Sequence, residues 1–194
     1  MKTHWMILIW STILTGCDET IDDTAVVTDD TGEVTSDVVS MVVDNHLLLC
    51  SGEGQWLCPQ VQIDGGDWEP LGCGVDGLDY LWGTTYTITA EKTGFSDPAM
   101  DGCGDIYALV SVEAEAFDGA DRAFSFDWVY DTMITADGSG GGDLQGTAFV
   151  CIDDAVCETV AAVTPDWQDT YSLALQNPSK VGEPLVLTAI TLNE

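Results

Sequence analysis

Apolar and polar residues alternate along most of the chain after residue 37. A period of two is typical of β-strands with one buried face, and no segment shows the sustained period of 3.6 that indicates a helix. Clusters of Asp and Gly, which favour turns, separate the alternating segments. The pattern predicts strands at residues 38–43, 46–50, 56–63, 84–91, 106–115, 124–130, 145–152, 156–163, 170–176 and 185–192.

Two of these segments have well-defined faces. In 106–115, Ile106, Val110 and Val112 share an apolar face that we expect to be buried. In 124–130, four aromatic residues alternate with other residues and predict one aromatic face. These aromatic residues are Phe124, Phe126, Trp128 and Tyr130. Residues 137–143, rich in glycine, are predicted to form a flexible loop.

The predicted fold class is all-β. We expect two small antiparallel β domains, barrel- or sandwich-like and stapled by disulfides, after a signal peptide and a disordered acidic tether. The predicted boundaries are 1–16 for the signal peptide, 17–37 for the lipidated tether, 38–116 for the first β domain and 117–194 for the second.

The amino-terminal segment has the pattern of an export signal. Lys2 is followed by an apolar run that ends at Leu14-Thr15-Gly16-Cys17. This ending resembles the lipobox of bacterial lipoproteins, which implies cleavage after Gly16 and lipid attachment at Cys17. The protein would then be anchored to a membrane of the bacterial cell envelope, on its periplasmic or surface face. The motif does not specify the membrane leaflet. A membrane-spanning helix, the alternative, would need roughly 20 apolar residues.

The charge of the chain restricts its partners. The sequence has 34 acidic side chains against 4 Lys and Arg, for a formal net charge of −30. Nucleic-acid binding is excluded, because phosphates require Lys and Arg. Three interpretations remain, namely a surface adapted to high salt, sites for divalent cations, or attraction to a cationic partner. Residues 18–37, which are acidic and lack basic and aromatic side chains, predict a disordered spacer.

Six of the 7 cysteines follow Cys17, and an even number in an exported chain predicts disulfides. Proximity in sequence favours pairing of Cys50 with Cys58 and of Cys151 with Cys157. That choice leaves Cys73 and Cys103 as the third pair. The spacings do not match the close cysteine pairs of a zinc knuckle.

A calcium site is the one cofactor site that the sequence suggests. Asp97, Asp101 and Asp105 recur in a segment with Gly102 and Gly104. Calcium takes hard oxygen ligands from flexible, carboxylate-rich loops, so the three aspartates are candidate ligands. The alternative is that Asp and Gly simply form turns here, as they do between other predicted strands.

The sequence contains no visible catalytic constellation. His46 is the only histidine after Cys17, it has no Gly-x-Ser-x-Gly motif beside it, and we expect it on an edge strand. The glycine-rich residues 138–142 lack the lysine of a phosphate-binding loop. A glycan hydrolase needs only two carboxylates at a fixed separation, so this class stays open.

The tryptophans are candidates for a binding surface that stacks on sugars or contacts a protein, because Trp is enriched at binding hot spots. Small β domains also bury Trp in their cores, and we expect most of these residues there. Trp82, in a loop flanked by glycine, is expected to be the most exposed. The five candidates are Trp56, Trp68, Trp82, Trp128 and Trp167.

The first β segment resembles a known domain. Its motifs are Cys50-Ser51-Gly52, Cys58-Pro59-Gln60-Val61, Trp68, the strand Gly83-x-x-Tyr86-x-Ile88, Pro98-Ala99-Met100-Asp101-Gly102 and Tyr107-Ala108-Leu109. In this order they are similar to an uncharacterised domain of bacterial envelope lipoproteins that sometimes occurs beside META or HslJ-type domains. The resemblance covers about residues 38–115. It implies an envelope location and a β fold, and no activity.

These observations favour a membrane-anchored envelope lipoprotein that acts as a non-enzymatic binding or structural module. Its partners would be the membrane, through the lipid anchor, and an envelope protein or glycan. The alternatives are a calcium-binding β module and an acidic inhibitor of a cationic hydrolase, attracted by opposite charge. A carboxylate-based glycan hydrolase is a further alternative.

Overall fold

The computed structural model describes residues 37–95 and 104–193. These residues form two six-stranded β-sheets and one α-helix, so the prediction of an all-β protein with two β units and disulfides is confirmed. Both sheets belong to the compact unit Thr35–Glu194. The predicted signal peptide, Cys17 and most of the predicted tether lie outside the described residues, as do Asp97, Asp101 and Cys103.

The first sheet has the strand order β3-β2-β1-β5-β6-β4. Its strands are β1 Val38–Ser51, β2 Gln55–Ile63, β3 Trp68–Pro70, β4 Val75–Asp76, β5 Thr84–Phe95 and β6 Asp105–Phe117. All neighbours are antiparallel except β4 and β6. A register shift between Val43 and Leu47 bends β1, which joins the predicted strands 38–43 and 46–50 into one. The core of this sheet is formed by Met41, Val43, Val61, Leu71, Tyr86, Ile88, Ala90 and Tyr107.

The second sheet has the strand order β7-β11-β12-β10-β9-β8. Its strands are β7 Ala123–Tyr130, β8 Ile134–Ala136, β9 Gly141–Leu144, β10 Thr147–Cys151, β11 Thr170–Gln176 and β12 Leu185–Leu192. Strands β10 and β12 are parallel, and the helix α1, Asp154–Ala161, lies in the connection that follows β10. A single 3-10 turn, Asp131–Met133, links β7 to β8. Leu49, Leu57 and Trp82 from the first half of the chain pack against the core of the second sheet.

The predicted strand 156–163 is wrong, because these residues belong mainly to α1. Val160 is buried, and Val156 and Val163 pack against the same core. Val156 and Val160, four residues apart, lie on one side of the helix, and Val163 follows its end. The side chain of Asp153 caps the helix by accepting a hydrogen bond from the Val156 amide at 3.0 Å. The local apolar spacing was therefore helical, although the segment is too short to show a sustained period.

The predicted inward face of β6 is also wrong. Tyr107 is buried and Leu109 packs against the core, whereas Val110 and Val112 are exposed. Tyr107 and Leu109 are odd-numbered, so the face toward the core is opposite in phase to the predicted one. The predicted flexible loop 137–143 is partly strand, because its last residues begin β9.

Two of the predicted disulfides are present. Cys50 and Cys58 link the neighbouring strands β1 and β2, with 5.9 Å between their Cα atoms. Cys151 and Cys157 link the end of β10 to α1, with 5.5 Å between their Cα atoms. The predicted pairing of Cys73 with Cys103 remains a prediction, because Cys103 lies outside the described residues.

Candidate functional site

Three aromatic side chains are exposed on the second sheet and the loop beside it. We call Trp128, Tyr130 and Trp167 the aromatic patch; their exposed fractions are 60%, 36% and 70%. The rings of Tyr130 and Trp167 lie 6.0 Å apart between centroids and are inclined by 56°. Trp128 and Tyr130 are on β7, on either side of Val129, which is fully buried.

A β-bulge exposes Trp128. Where β7 pairs with β11, Val129 lies opposite Tyr171 and Phe126 lies opposite Leu173. Two residues, Asp127 and Trp128, therefore face the single residue between these partners. Such a bulge redirects a side chain and disrupts the alternation of the strand. The backbone of Trp128 has a φ of 62°, a left-handed conformation that is unfavourable for a bulky residue.

Asp131 holds the loop that presents Trp167. Its side chain is fully buried and accepts hydrogen bonds from the backbone amides of four consecutive residues. These donors are Asp166 at 3.3 Å, Trp167 at 3.1 Å, Gln168 at 3.2 Å and Asp169 at 3.3 Å. Trp167 itself has a φ of 65°. The loop is therefore fixed from inside by one carboxylate, with its tryptophan directed outward.

The same hydrogen bonds keep Asp131 ionised. Burial raises the pKa of a carboxyl group, because it disfavours the charged form. Here the backbone amides of residues 166–169 outweigh burial, and the pKa of Asp131 is lowered below its usual value of 3.8. A buried negative charge is therefore part of the support of the aromatic patch.

The charge around the patch is negative, and among the described residues no basic side chain offsets it. Asp127, Asp166 and Asp169 are exposed in the segments that bear the aromatic residues. Each base within residues 37–95 and 104–193 already forms an ion pair elsewhere. The pairs are Lys92 with Asp105 at 2.6 Å, Arg122 with Asp44 at 3.2 Å and Lys180 with Glu183 at 3.2 Å.

A second cluster of polar residues lies where the two sheets meet. The Nη1 atom of Arg122 donates to the Oδ1 atom of Asn45 at 2.8 Å, and the side-chain amide of Asn45 donates to Asp118 at 3.1 Å. The buried amide of Asn177 donates to the backbone oxygens of Asn45 at 3.1 Å and Gly119 at 3.0 Å. The bonds of Asn177 satisfy its buried side-chain nitrogen across the contact, which is a structural role.

His46 lies in β1, an internal strand of the first sheet, at a point beyond Val43, where the pairing with β5 ends. It is buried against the ring of Phe124, so the expected edge position does not expose it. Its Nδ1 atom lies 3.1 Å from the Oδ2 atom of Asp44, but outside hydrogen-bonding geometry. Burial, followed by the charge of Arg122, lowers the pKa of His46 below 6.5, although Asp44 opposes this shift.

The candidate calcium ligands are only partly within the described residues. Asp97 and Asp101 lie outside them. Asp105 pairs with the Nζ atom of Lys92 at 2.6 Å and accepts a hydrogen bond from the Tyr107 hydroxyl at 3.4 Å. The described part of the chain contains no group of three or more side chains suited to a metal. The calcium site stays a prediction.

The tryptophans are distributed differently from the prediction. Trp68, at 45% exposed, joins Trp128 and Trp167 on the surface, so most of the five are not in the core. Trp82, expected to be the most exposed, is half-buried and stacks on Phe124 with 5.4 Å between ring centroids. Trp56 is also half-buried, and its indole nitrogen donates to the oxygen of Gly72 at 2.6 Å. A glycine-flanked loop was thus a poor guide to exposure, because Trp82 fills the contact between the sheets.

Sequence reasoning missed Asp131, which supports the patch. Its four hydrogen-bond donors are 35 to 38 residues further along the chain, so no local motif identifies it. Trp128 was a candidate but was placed on one face with Phe124 and Phe126. Phe126 is buried and Trp128 is exposed, because Trp128 is one of the two bulge residues.

Within the described segments, no helix has both the length and the apolar character needed to cross a membrane. The resemblance of residues 38–115 to an envelope-lipoprotein domain remains a prediction. No protein-family model, curated protein or solved structure matches this chain.

Proposed function

We propose that this protein is a lipid-anchored, non-enzymatic binding module of the bacterial cell envelope, and that it binds its ligand through the aromatic patch. The lipobox at Cys17 supports the anchor. The two disulfides support an oxidising compartment, because such bonds persist in exported proteins. Residues 18–37 would act as the tether, with a reach of roughly 25 Å for a flexible chain of this length.

One observation supports the binding role above the others: the exposure of the patch is maintained at an energetic cost. Trp128 and Trp167 both adopt left-handed backbone conformations. Asp131 is buried as an anion to hold the loop of Trp167. Strained residues of this kind cluster at functional sites, where the surrounding structure compensates for them. Exposed tryptophans are also the residues most enriched at binding hot spots.

The anchor is tested by expressing the full chain in a bacterium supplied with a palmitate analogue that can be labelled. We expect the wild-type protein to be labelled and to sediment with membranes, and the Cys17→Ala variant to be unlabelled. A labelled Cys17→Ala protein would contradict attachment at this cysteine. The matched control is Ser11→Ala, which changes the predicted signal peptide but keeps Cys17, and it should be labelled as wild type is.

The binding role is tested with two defined probes, a cationic protein, hen lysozyme, and a neutral glycan, an N-acetylglucosamine tetramer. The full-length protein in detergent is compared with the variants Trp167→Leu and Trp68→Leu by calorimetry. Trp68 is the control because it is an exposed tryptophan on the first sheet. We expect at least one probe to bind more weakly to Trp167→Leu and equally to Trp68→Leu. Equal binding of both probes to all three proteins would contradict a role for the patch.

A further inference from the structure

We propose that the aromatic patch receives cationic side chains, and that its ligand is an arginine- or lysine-rich segment of a partner protein. This inference rests on the proposed binding role and specifies the chemistry of the ligand. Three features of the described residues support it: the inclination of the rings, the state of the neighbouring polar groups and the charge of the surface.

The first feature is the inclination of Tyr130 and Trp167. With ring planes 56° apart and centroids 6.0 Å apart, the two rings do not form one flat platform. A pyranose ring stacks best on a single flat face. A guanidinium or ammonium group is compact and is attracted by the negative face of each ring within about 6 Å of its centroid. Two inclined rings can therefore both attract the same cation, each through its own face.

The second feature is that neutral hydrogen-bond donors beside the rings already donate to neighbouring carboxylates. The Asp166 carboxylate accepts hydrogen bonds from both the backbone and the side-chain nitrogens of Gln168, each at 3.1 Å. Asp127 accepts a hydrogen bond from the Ser172 hydroxyl at 3.0 Å. A sugar needs partners with directed hydrogen bonds, and here the side-chain nitrogen of Gln168 and the Ser172 hydroxyl already donate to carboxylates. A cation needs only the negative charge, which these carboxylates keep.

The third feature is the charge of the surface. Every base in the described ranges 37–95 and 104–193 is paired with a carboxylate away from the patch. Asp127, Asp166 and Asp169 therefore have no basic side chain to offset their charge locally. A negative surface of this kind accelerates encounter with positive partners and disfavours anionic ones. The aromatic rings then add an attraction for the cation that acts only where the cation lies close to a ring face.

The test must separate the patch from general attraction between opposite charges. The full-length protein in detergent is titrated by calorimetry at 0.15 M salt, a concentration that screens charges over roughly 8 Å. The probes are hexa-arginine, hexa-citrulline as its neutral counterpart, and an N-acetylglucosamine tetramer. The variants are Trp128→Leu, Trp167→Leu and, as the matched control, Trp68→Leu. Leucine keeps an apolar side chain and removes the aromatic face.

We expect hexa-arginine to bind about two- to fivefold more weakly to Trp128→Leu and to Trp167→Leu than to wild type. Its affinity for Trp68→Leu should be unchanged, and hexa-citrulline should bind more weakly than hexa-arginine. Equal affinity of hexa-arginine for all four proteins would show attraction by charge alone and would overturn the inference.

The other outcomes distinguish the two proposals. If the glycan alone loses affinity in the patch variants, the binding role stands and the cationic ligand is wrong. If no probe distinguishes the patch variants from Trp68→Leu, both proposals fail. Circular dichroism of each variant in the same buffer checks that the fold is intact.

Discussion

Gln55 and Gln145 bridge the two sheets in the same way from opposite sides. The side chain of Gln55, at the start of β2, donates to the oxygen of Trp128 at 2.7 Å and accepts from the amide of Tyr130 at 2.9 Å. The side chain of Gln145 accepts from the amide of Leu57 at 2.7 Å and donates to the oxygen of Gln55 at 3.2 Å. Each side-chain amide thus pairs with the backbone of the opposite sheet. Gln55 also fixes the strand edge that bears two residues of the aromatic patch.

The first prediction concerns this pair of bridges. Gln55→Ala should lower the free energy of unfolding by about 1–2 kcal/mol, because each hydrogen bond contributes about 0.5–1.5 kcal/mol. Amide hydrogen exchange gives the sharper measurement. The Tyr130 amide should exchange faster in Gln55→Ala, and the Leu57 amide should exchange faster in Gln145→Ala.

The control for this prediction is Gln62→Ala. The Gln62 side chain donates to the oxygen of Gly66 at 2.7 Å, within the first sheet, and does not bridge the sheets. The Gln62→Ala variant should leave the Tyr130 and Leu57 amides as protected from hydrogen exchange as in wild type. Unchanged protection of Tyr130 in Gln55→Ala would show that the bridge does not persist in solution.

The second prediction concerns the buried anion Asp131. Asp131→Asn should lower the free energy of unfolding by about 2–4 kcal/mol, because an amide cannot accept all the hydrogen bonds of the carboxylate. For a chain of this size the melting temperature should fall by about 10 °C. Asp169→Asn removes the same charge from an exposed residue of the loop and should change the melting temperature little.

The effect of Asp131 should depend on pH with a defined sign. Its pKa is lowered in the folded state, so its contribution to stability is present above pH 3.8 and is lost as the pH falls through the folded-state pKa. The stability difference between wild type and Asp131→Asn should therefore shrink below pH 3.8. A difference that stays constant through this range would argue against an ionised Asp131.

The third prediction concerns His46. Burial and the charge of Arg122 lower its pKa, so the unfolded chain binds a proton more tightly than the folded chain. The stability from neutral His46 is complete above pH 6.5 and is lost as the pH falls below that value. Between pH 7.5 and 5.5, the free energy of unfolding should fall more steeply for wild type than for His46→Gln.

The pKa itself can be followed by NMR titration of the His46 ring. Arg122→Gln should raise this pKa, because it removes a positive charge that opposes protonation while Asp44 stays in place. Lys180→Gln is the control, since Lys180 pairs with Glu183 elsewhere. A wild-type pKa at or above 6.5 would contradict the prediction.

The fourth prediction concerns Gly142 in β9. A Cβ atom at this position would collide with the backbone oxygen of Thr135 and with the ring of Phe149. Gly142→Ala should therefore lower the free energy of unfolding by about 3 kcal/mol, measured by denaturant titration. Gly54→Ala is the matched control, because a Cβ atom at Gly54 would have no neighbour within 4 Å. Equal midpoints for the two variants would show that β9 adjusts without cost.

Several elements of the fold could be predicted because their causes are local. The strands at 170–176 and 185–192 were predicted with their observed bounds. In β11, Tyr171, Leu173 and Leu175 are buried while their neighbours are not, which is the alternation visible in the sequence. The disulfides Cys50–Cys58 and Cys151–Cys157 could also be predicted, because the cysteines of each pair are separated by only 8 and 6 residues.

The support of the candidate site could not be predicted, because its causes are distant in sequence. Trp128 is exposed by a bulge that depends on how β7 pairs with β11. Asp131 finds its hydrogen-bond donors only when residues 166–169 fold against it. The sequence alone determined the β-class fold, two of the disulfides and the excess of negative charge, since alternation, proximity and composition are local properties. Only the tertiary structure decided which tryptophans face solvent, because strand register and a buried carboxylate are set by contacts between segments far apart in the chain.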